Sequence, residues 1–211
     1  MVQSIPAAQV TLRNLKQTLG LQLAQDPAFF LEWSEPHAAL SEAEQQLLDR
    51  VKANFLELVE DPPMLENSVK LVVLAPLLDL AGFYHQPFRL ETETSIALAL
   101  EDEGTVIRGR IDVLVLRQRL WLLVIESKSK RSDFAVTGAI PQALAYLLAN
   151  PTQTQPSFAK ITNGNEFLFL KAMRQPAAEY GTSRLFSLVT PHNELYAVLQ
   201  ILKRLGSAAI A

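Results

Sequence analysis

Hydrophobic and polar positions follow two rhythms along the chain. Over the first sixty residues the rhythm is helical. "AAQVTLRNLKQTLG" (7–20) repeats apolar residues at helical spacing and ends in glycine. "SEAEQQLLDRVKANFLELVED" (41–61) opens with Ser41 and Glu44 in a capping-box arrangement. It keeps its period through Leu47, Leu48, Val51, Phe55 and Leu58, until Pro62 and Pro63 stop it. The spacing predicts a third helix from about Met64 to Ala81, bent at Pro76 and closed by Gly82.

After Pro87 the period becomes two. "FRLETETSIALAL" (88–100) alternates, "EDEG" (101–104) makes a turn, and "TVIRGRIDVLVLR" (105–117) is rich in β-branched residues. The chain turns again near Gln118 into "LWLLVIESK" (120–128). Its unbroken apolar run predicts a central strand covered on both faces. A helix follows at about Ala135 to Ala149. "SFAKITNGNEFLFLKAM" (157–173) reads as two strands around the turn 163–165. "RLFSLVT" (184–190) reads as a further strand. "NELYAVLQILKRLG" (193–206) reads as a closing helix with Gly206 as its stop. The order predicts an α/β sheet flanked by helices, with residues 1–63 as a helical lead-in and 64–211 as the main unit, the two forming one compact body.

Composition narrows the chemistry. The 211 residues contain no cysteine, which excludes disulfides, thiolate catalysis and zinc–thiolate sites. His37, His85 and His192 are scattered without metal-binding spacing. No apolar run approaches the roughly 18–20 residues of a membrane span, and no secretory pattern opens the chain; a soluble cytoplasmic protein is expected, with no membrane partner. The net charge of −3 is not that of a protein that holds nucleic acid by charge alone. Residues 105–131 are locally basic, however. Arg108, Arg110, Arg117, Arg119, Lys128, Lys130 and Arg131 face only two acids there, Asp112 and Glu126.

Those acids lie on adjacent predicted strands, Asp112 six residues before Gln118 and Glu126 eight after it. With modest twist or offset they reach the same end of the sheet. Lys128, two residues past Glu126, joins that spot. Two carboxylates suffice for magnesium when phosphate and water supply the remaining oxygens. The Ser127 carbonyl would lie at or near such a metal. A neighbouring lysine can orient a metal-bound water and stabilise charge on phosphorus. The bland alternative is that both acids pair with Arg108, Arg110 or Lys128 on a solvated sheet edge.

"GRID" (109–112) followed by "ESK" (126–128) resembles the D…E-x-K site of the PD-(D/E)XK nuclease superfamily. More closely, the chain resembles the amino-terminal nuclease domain of type I restriction enzyme R subunits and their stand-alone relatives. "LENSVKLVVLAPLLDLAGF" (65–83) resembles that family's first core helix, and Glu66 stands where a glutamate near the metal is expected. "PQALAYLLAN" (141–150) carries Gln142 and Tyr146, a Q-x-x-x-Y helix, and "KITNGNEFLFL" (160–170) resembles the following strand–turn–strand. The resemblance covers roughly residues 64–173. It implies a restriction-endonuclease-like core of helix, three-stranded meander, helix and strand.

It also implies a magnesium- or manganese-dependent nuclease acting on DNA. Asp112 and Glu126 would bind metal, Glu66 would assist and Lys128 would orient water. Arg108, Arg110, Lys130 and Arg131 would contact phosphate. Gln142 and Tyr146 would position the site or the nucleic-acid backbone. Ile111 stands where the name-giving proline would be, and no Walker-type loop is present. A separate motor or specificity subunit is therefore an expected partner. A homodimer is expected as well, because double-strand cleavage needs two sites. The competing reading is a nuclease fold kept as a nucleic-acid-binding or assembly module with slow or no cleavage.

Overall fold

Residues 3–34, 38–60, 66–100, 105–117, 120–126, 136–151 and 154–208 are described by the structure, a computed structural model of the chain. The side chains of Gln3, Glu66, Leu100, Thr105, Arg117, Ala208 and residues 120–126 fall outside that description. So do the expected turns at 101–104 and near Gln118, the Pro62–Pro63 stop, and the expected boundary between residues 63 and 64.

Among the described residues, nine strands form one mixed sheet. They are β1 (Gln3–Pro6), β2 (Gln22–Leu23), β3 (Arg89–Leu100), β4 (Thr105–Arg117), β5 (Leu120–Glu126), β6 (Ser157–Thr162), β7 (Glu166–Met173), β8 (Glu179–Thr182) and β9 (Phe186–Ser187). The sheet order is β1-β4-β5-β6-β7-β8-β2, with β3 also on β4 and β9 also on β7. β3, β4 and β5 form the expected antiparallel meander. The apolar strand β5 is central, antiparallel to β4 and parallel to β6.

Helices cover both faces. They are α1 (Leu12–Leu19), α2 (Glu42–Glu60), α3 (Glu66–Val69), α4 (Ala75–Leu80), α5 (Ile140–Leu148) and α6 (Leu195–Ala208). Alternation in the central strands splits the core in two. Ala159, Ile161, Leu168 and Leu170 pack with Leu15 of α1 and with α5. Phe158, Phe167 and Phe169 pack with α2, with residues 69–78 and with α6. Ala143 to Leu148 are all buried, so α5 is apolar on every side. The predicted Ser41–Glu44 capping box is present: the Glu44 amide donates to Ser41 Oγ at 3.3 Å and the Ser41 amide to Glu44 Oε2 at 2.8 Å.

Several expectations need correction. The helical rhythm predicts a purely helical lead-in, but residues 3–6 form β1 and pair in parallel with Thr105–Arg108. The expected helix over 7–20 is a short 3-10 turn, Ala7–Gln9, followed by α1, which Gly20 ends at φ 64°. "RLFSLVT" contributes only the two-residue β9, while β8 has no counterpart among the expected strands. Gly206 lies inside α6 rather than ending it. A Cβ at Gly206 would meet Phe83 Cε1 at 3.0 Å and Phe88 Cζ at 3.3 Å, so tight packing, not termination, selects glycine there. No helix among the described residues is long and apolar enough to cross a membrane.

Candidate functional site

β4 is the strand on which the candidate site is built. One of its edges pairs with β3 along nearly its whole length. The other edge is divided. β1 occupies it from Thr105 to Arg108, and β5 occupies it from Val113 to Arg117. The "GRID" residues 109–112 fall in the interval between these two partners. A backbone carbonyl in such a gap needs another partner. Tyr146 supplies one: its hydroxyl donates to the Arg110 carbonyl at 3.2 Å, and Gln142 Nε2 donates to that hydroxyl at 2.7 Å. The expected Q-x-x-x-Y pair thus acts on the backbone two residues before Asp112. Burial raises the Tyr146 pKa, which keeps the phenol protonated as a donor.

Asp112 sits where β4 and β5 part. Their register ends at Val113 opposite Val124. β5 continues to Glu126, which pairs with Thr162 of β6. Continued by one residue, the β4–β5 register would set Asp112 against Ile125, with Glu126 one position further. The two expected acids lie just past the end of the β4–β5 ladder, Asp112 one residue beyond its last β4 pair and Glu126 two beyond its last β5 pair.

β3 and β4 also turn over at this point. Thr94 pairs with Ile111 and Thr92 with Val113, so Glu93 and Asp112 stand opposite each other, yet the ladder skips them. Glu93 has φ 54°, the left-handed region that a non-glycine residue rarely occupies. On one side of the step, Leu98, Ile107 and Ile111 face the α5 core. On the other side, Leu90, Val113 and Val115 face the opposite core. Leu114, however, stays in the α5 core, so Asp112 is where the alternation of β4 changes parity and beyond it both faces are buried. Backbone strain of this kind clusters at functional positions.

The Asp112 carboxylate is largely enclosed, with 12% of the side chain exposed, and Lys70 Nζ lies 3.9 Å from its Oδ1. Lys70 opens the π-helical segment 70–74 between α3 and α4, where the Ala75 amide bonds to the Lys70 carbonyl. Pro76 explains the wider turn, because it cannot donate to the Val72 carbonyl and its ring would crowd that oxygen in an α-helix. The predicted bend at Pro76 is thus a π segment placed just before it. Glu66 begins α3, four residues before Lys70. Lys70 is not among the residues expected from sequence.

Arg108 and Arg110 are exposed and alternate with buried Ile107 and Ile111, so they share the face of β4 that leads to Asp112. Arg110 Nη1 lies 3.4 Å from Glu93 Oε2. Ser127, Lys128, Lys130 and Arg131 lie outside the described residues.

Among the described residues, no three acidic or imidazole side chains form a metal-holding group. Asp112 presents carboxylate oxygens of the kind a hard cation takes, and Lys70 stands against them.

The model of the family described as "Type I restriction enzyme R protein N terminus" matches residues 17–177. No curated protein matches the chain. Among solved structures, the crystal structure of SSO0001 is 14% identical, with 81% of this chain and 86% of that one covered and a TM-score of 0.24.

Proposed function

The chain belongs to the family of type I restriction enzyme R protein amino termini, and from that premise we propose that it is a magnesium- or manganese-dependent nuclease hydrolysing DNA phosphodiester bonds. The element order supports a restriction-endonuclease-like core: a helix over 66–80, the β3–β5 meander, α5, then β6. The observation that carries the reading is the position of Asp112, enclosed at the divergence of β4 and β5 and at the end of an exposed arginine row.

In this reading Asp112 and Glu126 hold the metal through carboxylate oxygens, and Glu66 and the Ser127 carbonyl complete the protein's share. A bound divalent ion would supply Lewis acidity toward the phosphodiester and acidify a water. Lys128 would orient that water through its ammonium group. Arg108, Arg110, Lys130 and Arg131 would hold the DNA backbone, which needs charge but no base contact. Tyr146 and Gln142 would keep the Asp112 backbone in place. A motor or specificity subunit would be the partner that delivers DNA to the site.

The Lys70–Asp112 pair favours a second reading, a binding or assembly module in which the lysine permanently satisfies the carboxylate. Calorimetric titration of Mn²⁺, with plasmid cleavage on the same samples, separates the two. The nuclease reading expects metal binding and Mg²⁺-dependent cleavage in the wild type, both lost in Asp112→Ala and Glu126→Ala. Equal metal affinity in wild type and both variants would sink it.

A further inference from the structure

Lys70 is unexplained by the metal-ligand set, yet among the described residues it is a cation set against Asp112. Their separation of 3.9 Å is longer than a hydrogen bond but well inside Coulomb range. Both side chains are sheltered, at 29% and 12% exposure, so water screens the pair less than it would at the open surface. The lysine is fixed by an unusual backbone: the π turn that accommodates Pro76 opens at Lys70 itself. The helix is anchored on both sides of this residue, since Val69, Val73 and Leu74 are buried in the core. The Val69 side chain also fills the space beside Gly164 at the 163–165 turn.

We propose that Lys70 is an exchangeable counter-ion: it neutralises Asp112 before the divalent metal binds, and is displaced by that metal onto a phosphate of the bound nucleic acid. This rests on the metal-dependent nuclease reading and adds a coupling device to it. A divalent ion held by Asp112 repels the ammonium by like charge. The exposed Arg108 and Arg110 row marks the same face of β4 as the approach of a phosphate backbone, so the displaced lysine meets an anion there. Without DNA, Lys70 competes with metal. With DNA, it has a phosphate to neutralise, and the competition is relieved. Metal and DNA then strengthen each other's binding, as linkage requires. The lysine acts through charge and position, not through a bond to the reacting atoms, and is a positioning residue.

The test uses the full chain in five forms: wild type, Asp112→Ala, Lys70→Met, Lys70→Gln and Lys70→Arg. Mn²⁺ is titrated calorimetrically without DNA, and a labelled DNA duplex is then titrated by fluorescence anisotropy in Ca²⁺. Thermal melts verify folding, and Lys70→Gln serves as a second neutral variant. Lys70→Met is expected to bind Mn²⁺ about three- to tenfold more tightly than wild type, and to bind the duplex more weakly by a similar factor. Lys70→Arg is expected to restore both values toward wild type. A merely structural lysine would not move the two affinities in opposite directions. Unchanged or weaker Mn²⁺ binding in Lys70→Met, with binding still abolished by Asp112→Ala, overturns this proposal and leaves the nuclease reading standing. Tighter Mn²⁺ binding with unchanged duplex affinity overturns the transfer to phosphate. Equal Mn²⁺ affinity in wild type and Asp112→Ala overturns the metal reading and this proposal together.

Discussion

Gly109 and Tyr146 compete for one space, and the tyrosine occupies it. A Cβ at Gly109 would lie 2.5 Å from Tyr146 Cε1 and 2.6 Å from its hydroxyl oxygen. The same ring hydroxyl bonds the Arg110 carbonyl, in the interval of β4 between β1 and β5. The glycine of "GRID" is therefore a packing requirement of the backbone clamp behind Asp112. Gly109→Ala should destabilise the protein by about 1–3 kcal/mol through overpacking, and Tyr146→Ala should destabilise it through a cavity. The double variant should be less destabilised than the sum, because each change relieves the other's crowding. Urea unfolding of the four proteins measures that coupling. Strict additivity would show that the two residues do not share the space.

Removing only the hydroxyl isolates the hydrogen bond. Tyr146→Phe should cost about 0.5–1.5 kcal/mol by urea unfolding. It leaves the ring against Gly109 but takes the donor from the Arg110 carbonyl. If the clamp positions Asp112, cleavage should fall more than stability does, and Mn²⁺ affinity should weaken. Wild-type metal affinity in Tyr146→Phe would separate the clamp from the site.

The 163–165 turn reads from sequence as a connection between strands, and it is one. Asn163 Oδ1 accepts from the amides of Asn165 and Glu166, at 3.1 and 2.8 Å. The structure adds a second duty. Gly164 has φ 90°, and a Cβ there would lie 2.7 Å from Val69 Cγ1, one residue before Lys70. Gly164→Ala meets both backbone strain and a clash, and should lower stability by about 1–3 kcal/mol. A thermal melt would show it as roughly 2–4 °C for each kcal/mol. An unchanged melting temperature would mean that the turn is not seated on the helix.

Long periodic segments were legible in the sequence; partnerships between distant segments were not. β3 announces itself by alternation, β4 by its β-branched residues, β6 and β7 by the turn between them, and α2 by its capping box. β1, β2, β8 and β9 have four residues or fewer, too short for a period, and they exist because a longer strand offers them an edge. At the site, Asp112 stands out as an isolated acid in a locally basic stretch, and Gln142 with Tyr146 only through the resemblance to the family's Q-x-x-x-Y helix. Lys70 does not stand out, because its meaning depends on a strand forty-two residues away. Glu93 looks like any polar residue in an alternating strand. Only the backbone distinguishes it, with a left-handed φ of 54° and a ladder that skips it opposite Asp112.

Glu44 closes its own helix cap and also receives Lys203 of α6, joining α2 to the last helix. The Lys203 hydrogen bond, followed by that from the Ser41 amide, holds the Glu44 carboxyl below its ordinary value of 4.5. A folded-state pKa below the unfolded one contributes stability that is fully present above 4.5. That contribution is lost as pH falls through the lowered folded value. Glu44→Gln should therefore melt earlier than wild type at neutral pH, with the gap closing as the pH drops below 4.5. Melting curves across this range test the sign, and a gap that widens in acid would contradict it.

Arg110 offers the clearest test of the proposed path of DNA to the site. Its side chain is 54% exposed on the row leading to Asp112, and its nearby anion, Glu93, is itself 68% exposed. An ion pair that open to water contributes little to the fold, so the guanidinium is available to a phosphate at small cost. Arg110→Ala should leave the melting temperature nearly unchanged and weaken duplex binding by a similar factor for different sequences. It should also reduce the slope of log K against log salt by about 0.9, the signature of one lost phosphate contact on duplex DNA. Glu93→Gln should act in the opposite direction, tightening binding most at low salt by removing an anion from the row. Anisotropy titrations over a range of salt concentrations separate these outcomes. A slope unaltered by Arg110→Ala would take the arginine row off the DNA path and, with it, the approach to Asp112 proposed above.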